Sequence, residues 1–306
     1  MQPDVWVPER TPDAERDRLA ALSAVHVFPA MGGLAGVDPH ADLLVAAYDT
    51  ARALEVASRL EGLKFIQATS AGVDGLIGRV PPGVTLCDAA GVHDVAVAEW
   101  VVMAILASGR HLPEHLDAQR RGIWGPRRLG GENLDGATVV LLGAGSIGRA
   151  VEARLVGFGA RSVRVARRPR ESVRPLADLP AILPTADVVV CLLPLTTETR
   201  GVLDAGVFAA MRPGALFVNA SRGAVVDTTA LVEAVLNGRI RAALDVTDPE
   251  PLPPGHPLWS APGVLITPHV GGDVSHEDDR AWQLVFEQVG RLARGEPLVN
   301  VVVDGY

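Results

Sequence analysis

Thr138-Val-Val-Leu-Leu-Gly143-Ala-Gly145-Ser-Ile-Gly148 is the stretch that decides the fold class. Its first five residues are an apolar, branched run that reads as a buried strand, and residues 149–158 continue it as a helical pattern. A GxGxxG spacing means little alone, but between a strand and a helix each glycine has a task. Gly143 permits the tight turn, Gly145 lets a pyrophosphate approach the backbone, and Gly148 lets the helix lie close to the strand. The first helical turn, with Ser146 and Ile147, then offers N–H groups and the positive end of the helix dipole to phosphates.

Outward from this motif, β-like runs recur at 162–166, 188–192, 215–219, 242–246 and 264–267, most of them separated by helical patterns. Six strands with helical crossovers predict a doubly wound parallel sheet. Upstream, β-like runs at 5–7, 25–28, 43–48, 65–69 and 85–87 alternate with helical stretches such as 51–60, which predicts a second parallel α/β sheet. The unbroken helical pattern at 95–108 marks the boundary between them. A last helical pattern at 275–294 carries an apolar stripe of Trp282, Val285, Phe286 and Val289, followed by a β-like run at 299–303. This segment is surplus to the second sheet and is expected to return to the first. The predicted domains are therefore residues 1–97 with 273–306, and residues 98–272.

Bulk properties narrow the partners. The chain has 306 residues and a formal net charge of −8, which argues against nucleic acid or an anionic membrane surface. Cys87 and Cys191 lie in apolar runs and read as structural thiols, and their spacing offers no metal site, so no metal is expected. The first residues are polar and acidic, and no apolar run approaches the roughly 18–20 residues that span a bilayer. The expected setting is cytoplasmic and reducing.

The strand after the fingerprint ends Val163-Arg164-Val165-Ala166-Arg167-Arg168-Pro169-Arg170, with no acid before Glu171. An NAD site usually carries Asp or Glu there to bond the ribose 2′-hydroxyl. Arg167 and Arg168 instead favour a 2′-phosphate through charge-assisted bonds. NADP(H) is thus the preferred cofactor, with NAD(H) possible.

Three further segments fall at the carboxyl ends of later strands, where ligands of such sheets bind. They are Asn219-Ala220-Ser221-Arg222-Gly223, Asp245-Val-Thr-Asp-Pro249-Glu250-Pro251 and Thr267-Pro268-His269-Val-Gly271-Gly272. Each alone is explained by a surface cation, a turn acid or a loop histidine; together on one face they point to chemistry. With Ala68-Thr-Ser-Ala-Gly-Val-Asp74, Val97-Ala-Glu-Trp100, Leu193-Pro-Leu-Thr196 with Thr199, and the run from Pro213 to Asp227, the chain over residues 63–303 resembles the D-isomer-specific 2-hydroxyacid dehydrogenases, and within them the glyoxylate/hydroxypyruvate reductases.

The resemblance implies a Rossmann cofactor domain and a flavodoxin-like substrate domain with the active site in the cleft between them. It implies that Arg222, Glu250 and His269 are the catalytic set. His269 would protonate the carbonyl oxygen of a small 2-keto acid, Glu250 would fix its tautomer, and Arg222 would hold the substrate carboxylate and carbonyl. Ser70, Ala71 and Gly72 match the loop whose N–H groups bind that carboxylate. Leu193, Pro194, Thr199, Ala220, Ser221, Asp245 and Gly271 match positions along the cofactor, and the family's habit implies a homodimer. Departures are His93, where many members carry Asn, the irregular stretch 122–131, and residues 1–62, which match only the α/β pattern. The competing reading is a nucleotide-sensing, corepressor-like protein on the same fold.

Overall fold

The computed structural model describes residues 2–33, 39–125, 129–167 and 172–303. In chain order it begins with β1 (Asp4–Pro8), α1 (Asp13–Ala20), β2 (Ala24–Phe28), β3 (Leu43–Ala46), α2 (Thr50–Ala57), β4 (Phe65–Ala68) and β5 (Thr85–Cys87). There follow α3 (Asp94–Gly109), α4 (Leu112–Arg120), β6 (Thr138–Leu142), α5 (Ser146–Val156), β7 (Arg161–Ala166), β8 (Arg174–Pro175), α6 (Leu179–Ile182) and β9 (Val188–Cys191). The last are α7 (Ala205–Ala210), β10 (Leu216–Asn219), α8 (Thr228–Leu236), β11 (Arg241–Leu244), β12 (Val264–Ile266) and α9 (Glu277–Ala293).

The chain divides into two compact units, one of Met1–His93 with Ser275–Tyr306 and one of Asp94–Val274. The expected boundary at residue 97 is moved to His93, because α3 begins at Asp94 and is part of the second unit over its whole length.

The first unit is a five-stranded parallel sheet in the order β2-β1-β3-β4-β5. Alternation along β1 assigns its two faces. Val5 and Val7 pack with Leu19 of α1 and with Trp282, Val285 and Val289 of α9, while Trp6 packs with Ala53, Leu54 and Val56 of α2 on the other face. The apolar stripe of α9 is thus what brings the end of the chain back onto this sheet. The expected final strand at 299–303 is only an isolated antiparallel bridge between Cys87 and Val301. Asn300 has φ +57°, which interrupts an extended run.

The second unit is a seven-stranded parallel sheet in the order β12-β11-β10-β9-β6-β7-β8. Period-two alternation again sorts the strand of the fingerprint. Val140 and Leu142 join a core with Leu179, Phe208 and Leu231, whereas Val139 and Leu141 face α3 and α5 through Val101, Ile105, Val151 and Leu155. Covered on both faces, β6 has no polar side. Each Leu or Val fully buried there contributes about 1.5–3 kcal/mol. The seventh strand, β8, was not expected. It is two residues long and contains Pro175, which the edge of a sheet tolerates. Cys87 and Cys191 are both buried and free, and burial pushes the Cys87 thiol up to about 11. Among the described residues no single helix is long and apolar enough to cross a membrane.

Candidate active site

The order of the second sheet puts β6 beside β9, so successive crossovers leave in opposite directions at the carboxyl end of β6. The fingerprint occupies this switch point. Gly143 has φ +118°, and a Cβ there would stand 2.5 Å from the Leu192 carbonyl oxygen. A Cβ on Gly148 would stand 2.3 Å from the Gly143 oxygen, so the third glycine is what lets α5 reach the strand. A Cβ on Gly145 would meet nothing within 4 Å. The space over Gly145 is open, as a pyrophosphate site requires. Asp49, Asp204 and Asp227 cap α2, α7 and α8, whereas no side chain caps α5, nor α1, α4 or α9. The first-turn donors of α5, those of Ser146 and Ile147 included, are left for a ligand. The residues present therefore fit a dinucleotide.

Arg167 follows the last residue of β7. Its Nη1 donates to Glu198 Oε2 at 2.8 Å, and Thr196 Oγ1 donates to the same oxygen at 3.0 Å. Glu198 lies in the loop after β9, which Thr199 organises. Thr199 is buried, donates from Oγ1 to the Pro194 oxygen at 2.6 Å and accepts from the Thr196 N–H at 2.8 Å. The hydrogen bond from Thr196 and the charge of Arg167 hold the Glu198 carboxyl below the usual carboxylate range. Leu193 is buried at the start of the same loop. Arg168 lies outside the described residues.

The catalytic candidates stand at the ends of the next three strands. After β10, the buried Asn219 shapes the loop. Its Oδ1 accepts from the N–H and Oγ of Ser221, and its Nδ2 donates to the Arg222 oxygen at 3.1 Å. Ala220 N–H donates to the Cys191 oxygen, and Ser221 Oγ lies 3.2 Å from Cys191 Sγ. Arg222 is half-buried, with Nη1 on the Ser221 oxygen at 2.8 Å. A Cβ on Gly223 would stand 1.9 Å from the Thr247 oxygen, so the Arg222 loop lies directly against the loop after β11.

That second loop carries Glu250 and meets the third. Glu250 Oε1 lies 2.6 Å from His269 Nδ1, with both side chains nearly half exposed. This bond leaves Nε2 as the nitrogen available to a substrate. His269 has φ +56°, an uncommon conformation for a side-chain-bearing residue. What holds it there is Asp245. Asp245 is buried, 5% exposed, and its carboxylate accepts from Thr267 Oγ1 at 2.6 Å, the Val270 N–H at 2.9 Å and the Gly271 N–H at 2.8 Å. Its backbone oxygen takes the His269 N–H at 2.8 Å. Trp100 Nε1 donates to Thr267 Oγ1 at 3.1 Å, and a Cβ on Gly271 would lie 2.8 Å from the Asp245 carboxylate. Sequence reasoning missed Asn219, Thr267 and Gly223 as shapers of the site. The available signal was a side-chain amide closing the otherwise apolar strand LFVN.

In the first unit, Ser70, Ala71 and Gly72 form the turn after β4. Ser70 Oγ donates to the Gly72 oxygen, and the Ser70 oxygen accepts the Ala89 N–H. His93 Nε2 lies 3.3 Å from the oxygen of Thr69, the residue before this turn. Elsewhere in the unit, Asp4, His40 and Asp42 each place a ligand atom within 4.8 Å of the others. The two carboxylates there are already engaged, by His26 and by Lys64.

Residues 102–271 match the family model described as the D-isomer specific 2-hydroxyacid dehydrogenase, NAD binding domain. The chain is 33% identical to D-3-phosphoglycerate dehydrogenase of Methanocaldococcus jannaschii over 86% of its length, and it spans about half the length of that relative, 52%. It is 37% identical to glyoxylate reductase/hydroxypyruvate reductase of Mus musculus, over 68% of this chain and 67% of that one. Among solved structures it is similar to a D-isomer specific 2-hydroxyacid dehydrogenase of Xanthobacter autotrophicus Py2 in complex with NADPH and MES. There the TM-score is 0.85 and the identity 30%, with 100% of both chains covered.

Proposed function

This chain belongs to the D-isomer specific 2-hydroxyacid dehydrogenase family, and from that premise we propose that it reduces small 2-keto acids, of the glyoxylate and hydroxypyruvate kind, to D-2-hydroxy acids with NADPH preferred over NADH. The observation that carries this reading is the 2.6 Å bond between His269 Nδ1 and Glu250 Oε1, with Arg222 on the adjoining loop. A bound reduced nicotinamide supplies the hydride to the carbonyl carbon. His269, with Nδ1 committed to Glu250, gives the proton on Nε2 to the carbonyl oxygen and leaves as the neutral ring. Arg222 holds the carboxylate and stabilises the charge growing on that oxygen. In the first unit, the N–H groups of Ser70, Ala71 and Gly72 are further donors suited to a carboxylate.

Gly143, Gly145, Ser146, Ile147 and Gly148 would hold the dinucleotide, with Leu193, Pro194, Thr199, Ala220, Ser221, Asp245 and Gly271 along it. Arg167 and Arg168 take the 2′-phosphate. The preference for NADPH is supported by the absence of an acid at the end of β7 and by the NADPH in the Xanthobacter autotrophicus Py2 structure. The substrate class is supported by the name of the mouse relative. A homodimer through the second unit is supported by the apolar groove between α3, α4 and α5, lined by Val102, Met103, Leu106, Leu112 and Phe158. A monomeric mass in light scattering would exclude it. Two buried free thiols support a cytoplasmic setting.

The test is the loss of reduced-nicotinamide absorbance with glyoxylate, hydroxypyruvate and pyruvate, and its gain with 3-phosphoglycerate, for each cofactor. Turnover of a small keto acid with NADPH favoured is the expected result. Turnover of 3-phosphoglycerate alone overturns the substrate class, and binding without turnover favours a nucleotide sensor.

A further inference from the structure

The Arg167–Glu198 ion pair joins the end of β7 to the loop after β9. Strands β7 and β9 lie on either side of β6, so an ion pair between the loops that follow them bridges the two neighbours of the strand that leads into the fingerprint turn. This is where the adenosine half of a dinucleotide enters such a sheet. Glu198 is 63% exposed, yet it is not a loose surface acid. Thr196 holds the same oxygen that meets Arg167, and the buried Thr199 fixes the turn beneath it. The loop therefore presents a carboxylate at a set place, facing a cation on the neighbouring loop.

We propose that Glu198 sets the balance between the two cofactors by competing with the 2′-phosphate for Arg167. The inference rests on the reading above that Arg167 serves the 2′-phosphate. When NADP(H) binds, its phosphate needs the guanidinium that Glu198 already neutralises, and the two anions repel. When NAD(H) binds, the ribose offers only a hydroxyl. A carboxylate is no obstacle to a hydroxyl and is the group other sites use to accept from it. The end of β7 lacks that acid, and the loop after β9 supplies one. Glu198 thus restrains the preference that Arg167 creates and keeps NADH usable.

Titration calorimetry of NADP+ and NAD+ against wild type, Arg167→Ala, Glu198→Gln and the double variant tests this. Gln keeps an acceptor for Thr196 while removing the charge. Glu198→Gln should tighten NADP+ about two- to fivefold, the scale of an exposed ion pair, and raise the ratio of NAD+ to NADP+ dissociation constants accordingly. In the Arg167→Ala background the same change should leave that ratio unaltered. The inference is overturned if Glu198→Gln weakens NADP+, shifts both cofactors equally, or acts as strongly without Arg167. The two readings fail separately. Equal losses of both cofactors in Arg167→Ala refute the 2′-phosphate assignment itself. A selective loss of NADP+ there, with no effect of Glu198→Gln, refutes only the role of Glu198.

Discussion

Gly145 and Gly148 belong to one motif but should fail in opposite ways when each becomes alanine. Gly148 is packed against backbone, since its added methyl would stand 2.3 Å from the Gly143 oxygen. Gly143 is itself tied to the sheet, its N–H donating to the Val165 oxygen at 2.8 Å. Relief requires α5 to move off the sheet, which places the cost near ~3 kcal/mol, the upper range for overpacking. For a unit of this size each kcal/mol lowers Tm by about 2–4 °C, so Gly148→Ala should unfold about 6–12 °C below wild type. Gly145 has φ −75° and ψ −163°, an extended conformation open to any residue, and its methyl would point into empty space. Gly145→Ala should therefore keep its Tm within about 2 °C of wild type. If the proposed cofactor route is right, that methyl meets the pyrophosphate, and the NADP+ dissociation constant should rise by about tenfold or more. Thermal unfolding followed by circular dichroism, with calorimetric titration of NADP+, reads both quantities. Wild-type affinity in Gly145→Ala refutes the route of the pyrophosphate, and an unchanged Tm in Gly148→Ala refutes the close packing of helix on strand.

Replacing His269 with Gln should leave NADP+ binding near normal and lower kcat by about 10²–10⁴, the usual contribution of a placed general acid; turnover at the wild-type rate would remove His269 from the mechanism. Asp88 offers a pH test. Burial raises its carboxyl above the usual value of 3.8, against a lowering bond from the Ala90 N–H at 2.9 Å. The folded chain then holds that proton more tightly than the unfolded one, so stability is lost as pH rises through the folded value. Asp88→Asn, which keeps an acceptor for Ala90, should melt above wild type at pH 8, and the gap should close as pH falls toward 3.8. A gap that stays constant across that range would rule out the carboxyl as its cause.

How far the site could be read from the sequence follows from which interactions are local in the chain. The fingerprint is local: strand, turn and the first turn of the helix lie within eleven residues, so spacing alone assigns Gly143, Gly145 and Gly148 their tasks. Arg222, Glu250 and His269 could be placed on one face because each closes a strand of the same parallel sheet, and that face is shared by every strand end. The supports of these residues are of another kind. The carboxylate of Asp245 holds the His269 turn through donors 22 to 26 residues away, and the Arg222 loop touches Thr247 only because residue 223 has no side chain. No periodicity encodes such contacts. They depend on register between β10, β11 and β12, which is known only once the sheet is assembled. The same reasoning accounts for Arg167. Its charge was legible as a preference for a phosphate, but its partner, 31 residues on, was not. A cation read from sequence as available to a ligand is in the fold already engaged, and the strength of its preference is set by what it must give up to bind.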